Sequence, residues 1–238
     1  MPPIKKAIIL AGGEGTRLRP LTYKIPKALI PVHGRTLTDM VLDILKKSGV
    51  KDIVLSVCYM ADKIKEYFGD GKKLGLNISY MQEEKPMGTA GPLILLPKFK
   101  ETFIMVNGDN LFNIDFEKMY FLHKKNKAAA TIALTQIPKE DVSAFGVAKL
   151  EGDKILEFVE KPNPEEAPSN WISSGYYIME PGVFDIVKGK KFAMVEKDLF
   201  PVLAKQGKLF GYKDKGQWFD TGDFERYEKV KKECKEVG

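Results

Sequence analysis

The sequence predicts an α/β fold in which a mixed, mainly parallel sheet is flanked by helices. Three observations carry this expectation. Short apolar, β-branched runs alternate with helical patterns through the first half, as in β–α–β units. Glycines follow the first of these runs, where a buried strand would end and the backbone must turn. After Ala128 the pattern changes to closely spaced strand-like segments.

Taken in order, Ala7–Leu10 reads as a buried first strand. Thr38 is the expected cap of a helix that carries Val41, Leu42 and Leu45 and stops at Gly49. Ile53–Cys58 is the next strand, and Ala61–Phe68 a second helix before Gly69. Thr102–Val106 again reads as a strand. Beyond it, Thr131–Leu134, Gly146–Leu150 and Ile155–Val159 are strand-like, with a hairpin turn at Glu151-Gly152-Asp153-Lys154. The prolines of Pro162–Pro168 remove donors and restrict their neighbours, which makes this segment a loop. Phe224–Cys234 is helical in pattern, and the basic run Lys229–Lys235 reads as a solvated helix face. No internal repeat is visible, and residues 1–238 are expected to form a single domain.

The loop after the first strand carries the chemistry. Gly12, Gly13 and Gly15 let backbone N–H groups approach an anion, so Leu10, Ala11 and Thr16 on either side belong to a phosphate-binding nest. Arg17 and Lys27 add full positive charge, the first able to grip oxygens bidentately and the second acting as a point charge. Two better-known motifs are excluded. A P-loop needs Gly-Lys-Ser/Thr after a four-residue spacer, and a dinucleotide fingerprint from Gly13 and Gly15 needs a third glycine where Leu18 stands.

The run Gly12-Gly13-Glu14-Gly15-Thr16-Arg17-Leu18-Arg19-Pro20-Leu21-Thr22, followed by Pro26-Lys27-Ala28-Leu29, resembles the signature of the sugar-1-phosphate nucleotidyltransferases. The resemblance continues through Gly88–Leu93, Val106–Asp109, Phe158–Pro162 and Trp218–Gly222, in family order over nearly the whole chain. Val195–Pro201 and the Gly88–Leu93 run are most similar to the mannose-1-phosphate guanylyltransferase branch.

The resemblance implies a Rossmann-like nucleotide-diphospho-sugar transferase fold without a C-terminal β-helix. Residues about 1–128 would bind nucleotide, and about 129–238 the sugar phosphate, with Pro162–Pro168 at the rim of the sugar pocket. It implies Mg²⁺ held by Asp109 and Asp220, whose hard oxygens suit that ion. Arg17 would meet the β- and γ-phosphates and Lys27 the α-phosphate. Lys161 would hold the phosphate of the incoming sugar 1-phosphate, and Glu160 its sugar hydroxyls. Gly88, Thr89, Gly108, Gly146 and Ser174 join the substrate-binding set.

Glu83 lies where the family reads the base. A carboxylate there could accept from the N1–H and N2 edge of guanine; the alternative is a solvated residue in the Glu83-Glu84-Lys85 run. The sugar side departs from the family pattern, because Ser173-Ser174-Gly175 stands where relatives carry Asn-Ala-Gly or Asn-Thr-Gly, and Gly108 where mannose-type relatives often carry Ser. The competing readings keep the reaction and change the substrates (thymidylyl or uridylyl transfer to glucose 1-phosphate, or nucleotidyl transfer to a heptose or amino-sugar phosphate), or make the chain a regulatory paralogue that senses nucleotide-sugar.

The nucleophile is already an anion, so no general base is needed, and His33 and His123 are expected to be structural or surface residues. Cys58 and Cys234 have no metal or redox spacing and are expected to be free thiols. The net charge of +6 is mixed along the chain and suits a polyphosphate substrate; no nucleic-acid recognition pattern accompanies it. No apolar run approaches the ~18 residues of a membrane span, and no signal-peptide pattern opens the chain. A cytoplasmic protein without membrane contact is expected, and the resemblance implies a homodimer or larger homo-oligomer.

Overall fold

The structure, a computed structural model, describes residues 3–234. Lys235 of the basic C-terminal run lies outside these. Strand β1 (Lys6–Leu10) leads into a loop with short 3-10 turns at Thr16–Leu18, Leu21–Tyr23 and Lys27–Leu29. A small hairpin, β2 (Pro31–Val32) and β3 (Arg35–Thr36), precedes α1 (Leu37–Lys47), β4 (Asp52–Val57), α2 (Ala61–Phe68) and β5 (Asn77–Gln82). Then come α3 (Gly91–Leu95), β6 (Phe103–Asn107), β7 (Asn110–Phe112), α4 (Phe116–Lys125), β8 (Ala130–Gln136), β9 (Gly146–Glu151), β10 (Lys154–Glu160) and β11 (Trp171–Met179). The chain continues through α5 (Val183–Val187), α6 (Phe200–Lys205), β12 (Leu209–Lys213), β13 (Trp218–Asp220) and α7 (Phe224–Glu233).

The described residues fall into two compact units, neither of them continuous in sequence. One comprises residues 3–86, 105–113 and 217–234, and the other residues 87–104 and 114–216. A simple halving near residue 128 therefore differs from the observed grouping, because residues 87–104 and 114–128 belong to the second unit and the β13–α7 segment to the first.

In the first unit β5, β4, β1 and β6 are neighbours in that order, and β1–β4 and β4–β5 pair in parallel. Ala7, Ile8 and Ile9 are fully buried, the unbroken apolar run expected of a parallel strand covered on both faces. Helix α1 starts differently from the expectation. Thr36, not Thr38, is its cap: the Thr36 hydroxyl accepts from the Asp39 N–H at 3.0 Å and the Asp39 carboxylate accepts from the Thr36 N–H at 3.0 Å. This reciprocal box satisfies two donors at once, and Thr38 is left buried inside the first turn. Helix α7 is capped by Asp223 and tied to β2 by the Tyr227 hydroxyl, which donates to the Pro31 carbonyl at 2.6 Å.

In the second unit the order is β11, β8, β12, β10, β9, with β8–β12 parallel and β8–β11, β10–β12 and β9–β10 antiparallel. The sheet content is thus mixed, with parallel pairing concentrated in the first unit. The β9–β10 hairpin turns at Gly152, as its sequence predicts. Among the described residues no β-helix is present, and no helix is long and apolar enough to cross a membrane. Cys58 and Cys234 are both free thiols.

Candidate active site

In the first unit the glycine loop grows directly out of β1. The Ala11 N–H donates to the Ser56 carbonyl at the end of β4 (2.8 Å), and the Gly12 carbonyl accepts from the Tyr59 N–H (3.3 Å). Gly15 has φ +61°, and a Cβ there would lie 2.8 Å from Thr22 Cγ2, while the Thr22 hydroxyl donates to the Gly15 carbonyl at 2.8 Å. A left-handed turn under this close contact requires glycine. Gly13 has open space around it, so its backbone is accessible. Arg17 and Thr16 stand exposed on the first 3-10 turn.

Lys27 opens the third 3-10 turn of this loop. Its ammonium is ion-paired with Asp109, which follows β6 and precedes β7. Gly108 is fixed by its N–H, which donates to the Leu10 carbonyl at 2.9 Å, so the Asp109 turn is anchored to β1. Strand β13 pairs antiparallel with β7, placing Asp220 opposite Asn110. Both the N–H and the hydroxyl of Thr221 donate to the Asp109 carbonyl, at 3.2 and 2.8 Å. Two aspartates more than a hundred residues apart are brought together by a pair of three-residue strands.

The electrostatics of the pair are unusual. The Asp220 side chain is only 9% exposed. Burial, and then repulsion from Asp109, push its carboxyl above the usual aspartate range, while Arg226 and Lys27 pull it back. Arg226, on the first turn of α7, is ion-paired with Asp220 and lies in no motif read from the sequence. Asn107 Oδ1 is a buried acceptor without a hydrogen-bond partner.

The chemistry of this donor set fits Mg²⁺: two hard carboxylates side by side, one of them desolvated. Among the described residues no group of three or more His, Cys, Asp or Glu is gathered as a closed metal cage. An ion that retains waters and takes phosphate oxygens as further ligands matches that sparse set.

Glu83 is not a solvated surface residue. It is buried at the end of β5, where its carboxylate accepts from the Ser56 hydroxyl at 3.3 Å and its N–H donates to the Val57 carbonyl at 2.9 Å, whereas Glu84 and Lys85 are exposed.

The second unit gathers the other predicted residues. Gly88 has φ +82°, and a Cβ there would sit 2.2 Å from the Ala193 carbonyl oxygen. The Thr89 hydroxyl donates to Glu196 Oε2 (2.5 Å) and accepts from the Val195 N–H (2.9 Å), stapling the two loops. Glu160 ends β10 with its side chain mostly buried, 3.5 Å from the Lys161 ammonium. A Cβ on Gly146 would lie 2.9 Å from Glu160 Oε2 and 2.3 Å from the Phe158 ring. Lys161 itself has φ +53°, a left-handed backbone on a non-glycine residue of the kind that costs ~1–3 kcal/mol and persists where the surroundings enforce it. Its N–H donates to the Phe145 carbonyl at 3.0 Å.

Two residues here differ from expectation. Ser174 is fully buried and its hydroxyl donates to the Ala133 carbonyl of β8 at 2.8 Å, which spends it on the sheet and removes it from an open binding surface. Glu196 was not among the expected site residues, yet burial and then the charge of Glu160 raise its carboxyl, opposed by the Thr89 hydrogen bond and Lys161. The Val195–Pro201 motif was the available signal. His123 is buried, with Thr131 Oγ1 at 2.8 Å and Glu180 Oε1 at 3.1 Å, and His33 is exposed on the β2–β3 turn; both are structural or surface residues, as expected.

The family model for nucleotidyl transferases matches residues 6–237. The chain belongs to this family. As a nucleotidyl transferase it is similar to the mannose-1-phosphate guanyltransferase beta-B of Xenopus laevis, 40% identical over 224 residues that cover 91% of this chain and 61% of that protein. It is 36% identical to the UTP–glucose-1-phosphate uridylyltransferase of Synechocystis sp., over 93% of this chain and 61% of that one. The chain therefore spans about three-fifths of the length of the curated relatives it matches. Among solved structures, a Bacillus anthracis chain superposes with a TM-score of 0.88 at 27% identity, covering 98% of this chain and 96% of that one. UDP-glucose pyrophosphorylase complexed with UDP-glucose gives a TM-score of 0.82 at 26% identity, covering 96% and 97%. The motif resemblance and the α/β fold agree with both comparisons.

Proposed function

We propose that this nucleotidyl transferase joins a nucleoside triphosphate to a sugar 1-phosphate, releasing pyrophosphate, with Mg²⁺ held by Asp109 and Asp220, and that GTP and mannose 1-phosphate are its substrates. The observation that carries the reading is the pairing of Asp109 with a desolvated Asp220 inside the two motifs that resemble the family's metal ligands.

When bound, Mg²⁺ neutralises charge on the nucleotide phosphates and on the leaving pyrophosphate. The chain's own residues supply the rest. Backbone groups of Gly12, Gly13 and Gly15 cradle the triphosphate; Arg17 neutralises the β- and γ-phosphates, and Lys27 the α-phosphate. Lys161 holds the sugar phosphate against the repulsion of two anions, and Glu160 accepts from sugar hydroxyls, with Glu196 beside it as a second acceptor. The sugar phosphate oxygen attacks the α-phosphorus, the bond to the β-phosphate oxygen breaks, and the electron pair leaves with pyrophosphate. No base is required, and catalysis is positioning and electrostatics.

The guanylyl preference is supported by the guanyltransferase relatives and by the buried position of Glu83 just after β5, where the resemblance implies that the base is read. Uridylyl transfer to glucose 1-phosphate is the second reading, favoured by the Synechocystis relative and by the UDP-glucose pyrophosphorylase likeness. A nucleotide-sugar-sensing paralogue would be expected to lose a cradle cation or a ligand, and Arg17, Lys27, Asp109, Lys161 and Asp220 are all present. A cytoplasmic location and a homo-oligomeric assembly go with this reading. The test is pyrophosphate release across a matrix of common nucleoside triphosphates and hexose 1-phosphates: GTP with mannose 1-phosphate should be fastest, and no release with any pair would overturn the enzymatic reading.

A further inference from the structure

The buried Asp220 carboxylate is neutralised by Arg226, and the hold on that guanidinium is built into the start of α7. Asp223 uses one carboxylate oxygen, Oδ1, to accept from the Arg226 N–H at 3.0 Å as the helix cap, and the other, Oδ2, lies 3.2 Å from Arg226 Nε. Backbone and side chain of Arg226 are thus tied to one carboxylate, so the planar group leaves the helix in a set direction and its Nη1 meets Asp220 Oδ2. Gly222 leaves the room in which this happens. A Cβ there would stand 2.9 Å from Asp220 Oδ2, 3.2 Å from Oδ1 and 3.4 Å from Arg226 Nη1.

We propose that Arg226 is a positioning residue for divalent-cation binding: it fixes the Asp220 carboxylate through Oδ2 and presents the remaining lone pairs beside Asp109. This rests on the reading that Asp109 and Asp220 bind the cation. Lys27 differs from it in kind. It reaches Asp109 from a short 3-10 turn, while Arg226 is held on both backbone and side chain by Asp223.

Partners that orient a ligating carboxylate are worth about 10- to 100-fold in metal affinity. The experiment is Mn²⁺ binding to the full chain, read as the free Mn²⁺ electron paramagnetic resonance signal, with and without a non-hydrolysable α,β-methylene nucleoside triphosphate. Arg226→Met should weaken Mn²⁺ binding by about 10- to 100-fold. Arg226→Lys should recover only part of the loss, since it restores charge without the fork. Unchanged or tighter binding in folded Arg226→Met overturns the proposal, tighter binding marking Arg226 as a competitor of the cation. Should that variant fail to fold, Asp223→Asn keeps a helix-cap acceptor and removes the charge behind Nε; weaker Mn²⁺ binding is expected, and wild-type affinity overturns the proposal. Asp109→Asn separates the two layers. If it leaves Mn²⁺ binding intact the metal reading itself fails, whereas loss of binding there with wild-type affinity in the Arg226 and Asp223 variants removes only the positioning role.

Discussion

The Lys27 ammonium and the Asp109 carboxylate are ion-paired across 82 positions of sequence, joining the end of the glycine loop to the turn after β6. The cation proposed for the α-phosphate thus already sits on one of the proposed metal ligands. Lys27→Ala and Arg17→Ala should each lower kcat by about 10²- to 10³-fold with a smaller change in KM, since their contacts strengthen as charge moves to pyrophosphate. Steady-state kinetics check this, and a loss confined to KM would contradict it.

Asp109→Asn and Asp220→Asn should each remove most turnover while the circular dichroism spectrum is retained. Turnover near wild type at ordinary Mg²⁺ in either variant would dismiss that residue as a ligand.

For Lys161 the expected signature is a split between substrates. Lys161→Ala should raise KM for the sugar phosphate about 10- to 100-fold, the scale of one charge-assisted hydrogen bond, and leave nucleotide KM nearly unchanged. The reverse pattern would exchange the roles given to Lys161 and Lys27.

Base choice should pass through Glu83. Glu83→Gln should shift preference from GTP toward UTP or dTTP by about 10- to 100-fold, because the amide brings a donor to the base edge where the carboxylate only accepts. Competition among nucleoside triphosphates at fixed sugar phosphate reads the ratio, and an unchanged order clears Glu83 of this role.

His123 should make stability sensitive to mild acid. Burial holds its folded-state pKa below the ordinary value, with Glu180 only partly opposing. Above pH ~6.5 both folded and unfolded forms are neutral and the group contributes nothing. As pH falls below that, the unfolded chain takes up a proton that the folded state resists. Stability then declines by up to ~1.4 kcal/mol per pH unit until the folded pKa is reached. Urea unfolding at pH 7.5 and 5.5 should show this loss in wild type and a smaller one in His123→Gln.

What the sequence made legible follows from length and periodicity. Strands such as β1 and β4, and helix α2, announce themselves because runs of apolar residues or 3.6-residue spacing persist long enough to be read. Strands β7 and β13 are three residues each, too short for any period, yet they bring the aspartates together. Strand β11 was hidden by Ser173-Ser174-Gly175, where the pairing register with β8 shifts. Motif residues were found because their chemistry is written in type and order. Arg226 was not, since an arginine six residues past Asp220 looks like any exposed helix cation until the Asp223 cap shows where it points. Ser174 shows the opposite error: a hydroxyl in the right place along the chain, but facing the sheet.

The pairing of β7 with β13 also sets an order of events during synthesis. Domains generally fold as units while the chain is synthesised from its N-terminus, and the glycine loop, Lys27 and Asp109 emerge well before Asp220 exists. The first unit also takes in residues 217–234, so it is complete only after nearly the whole chain has been made. Asp220 reaches Asp109 only when the segment bearing β13 has been made and has paired with β7, so the two carboxylates meet at the end of synthesis rather than at its start.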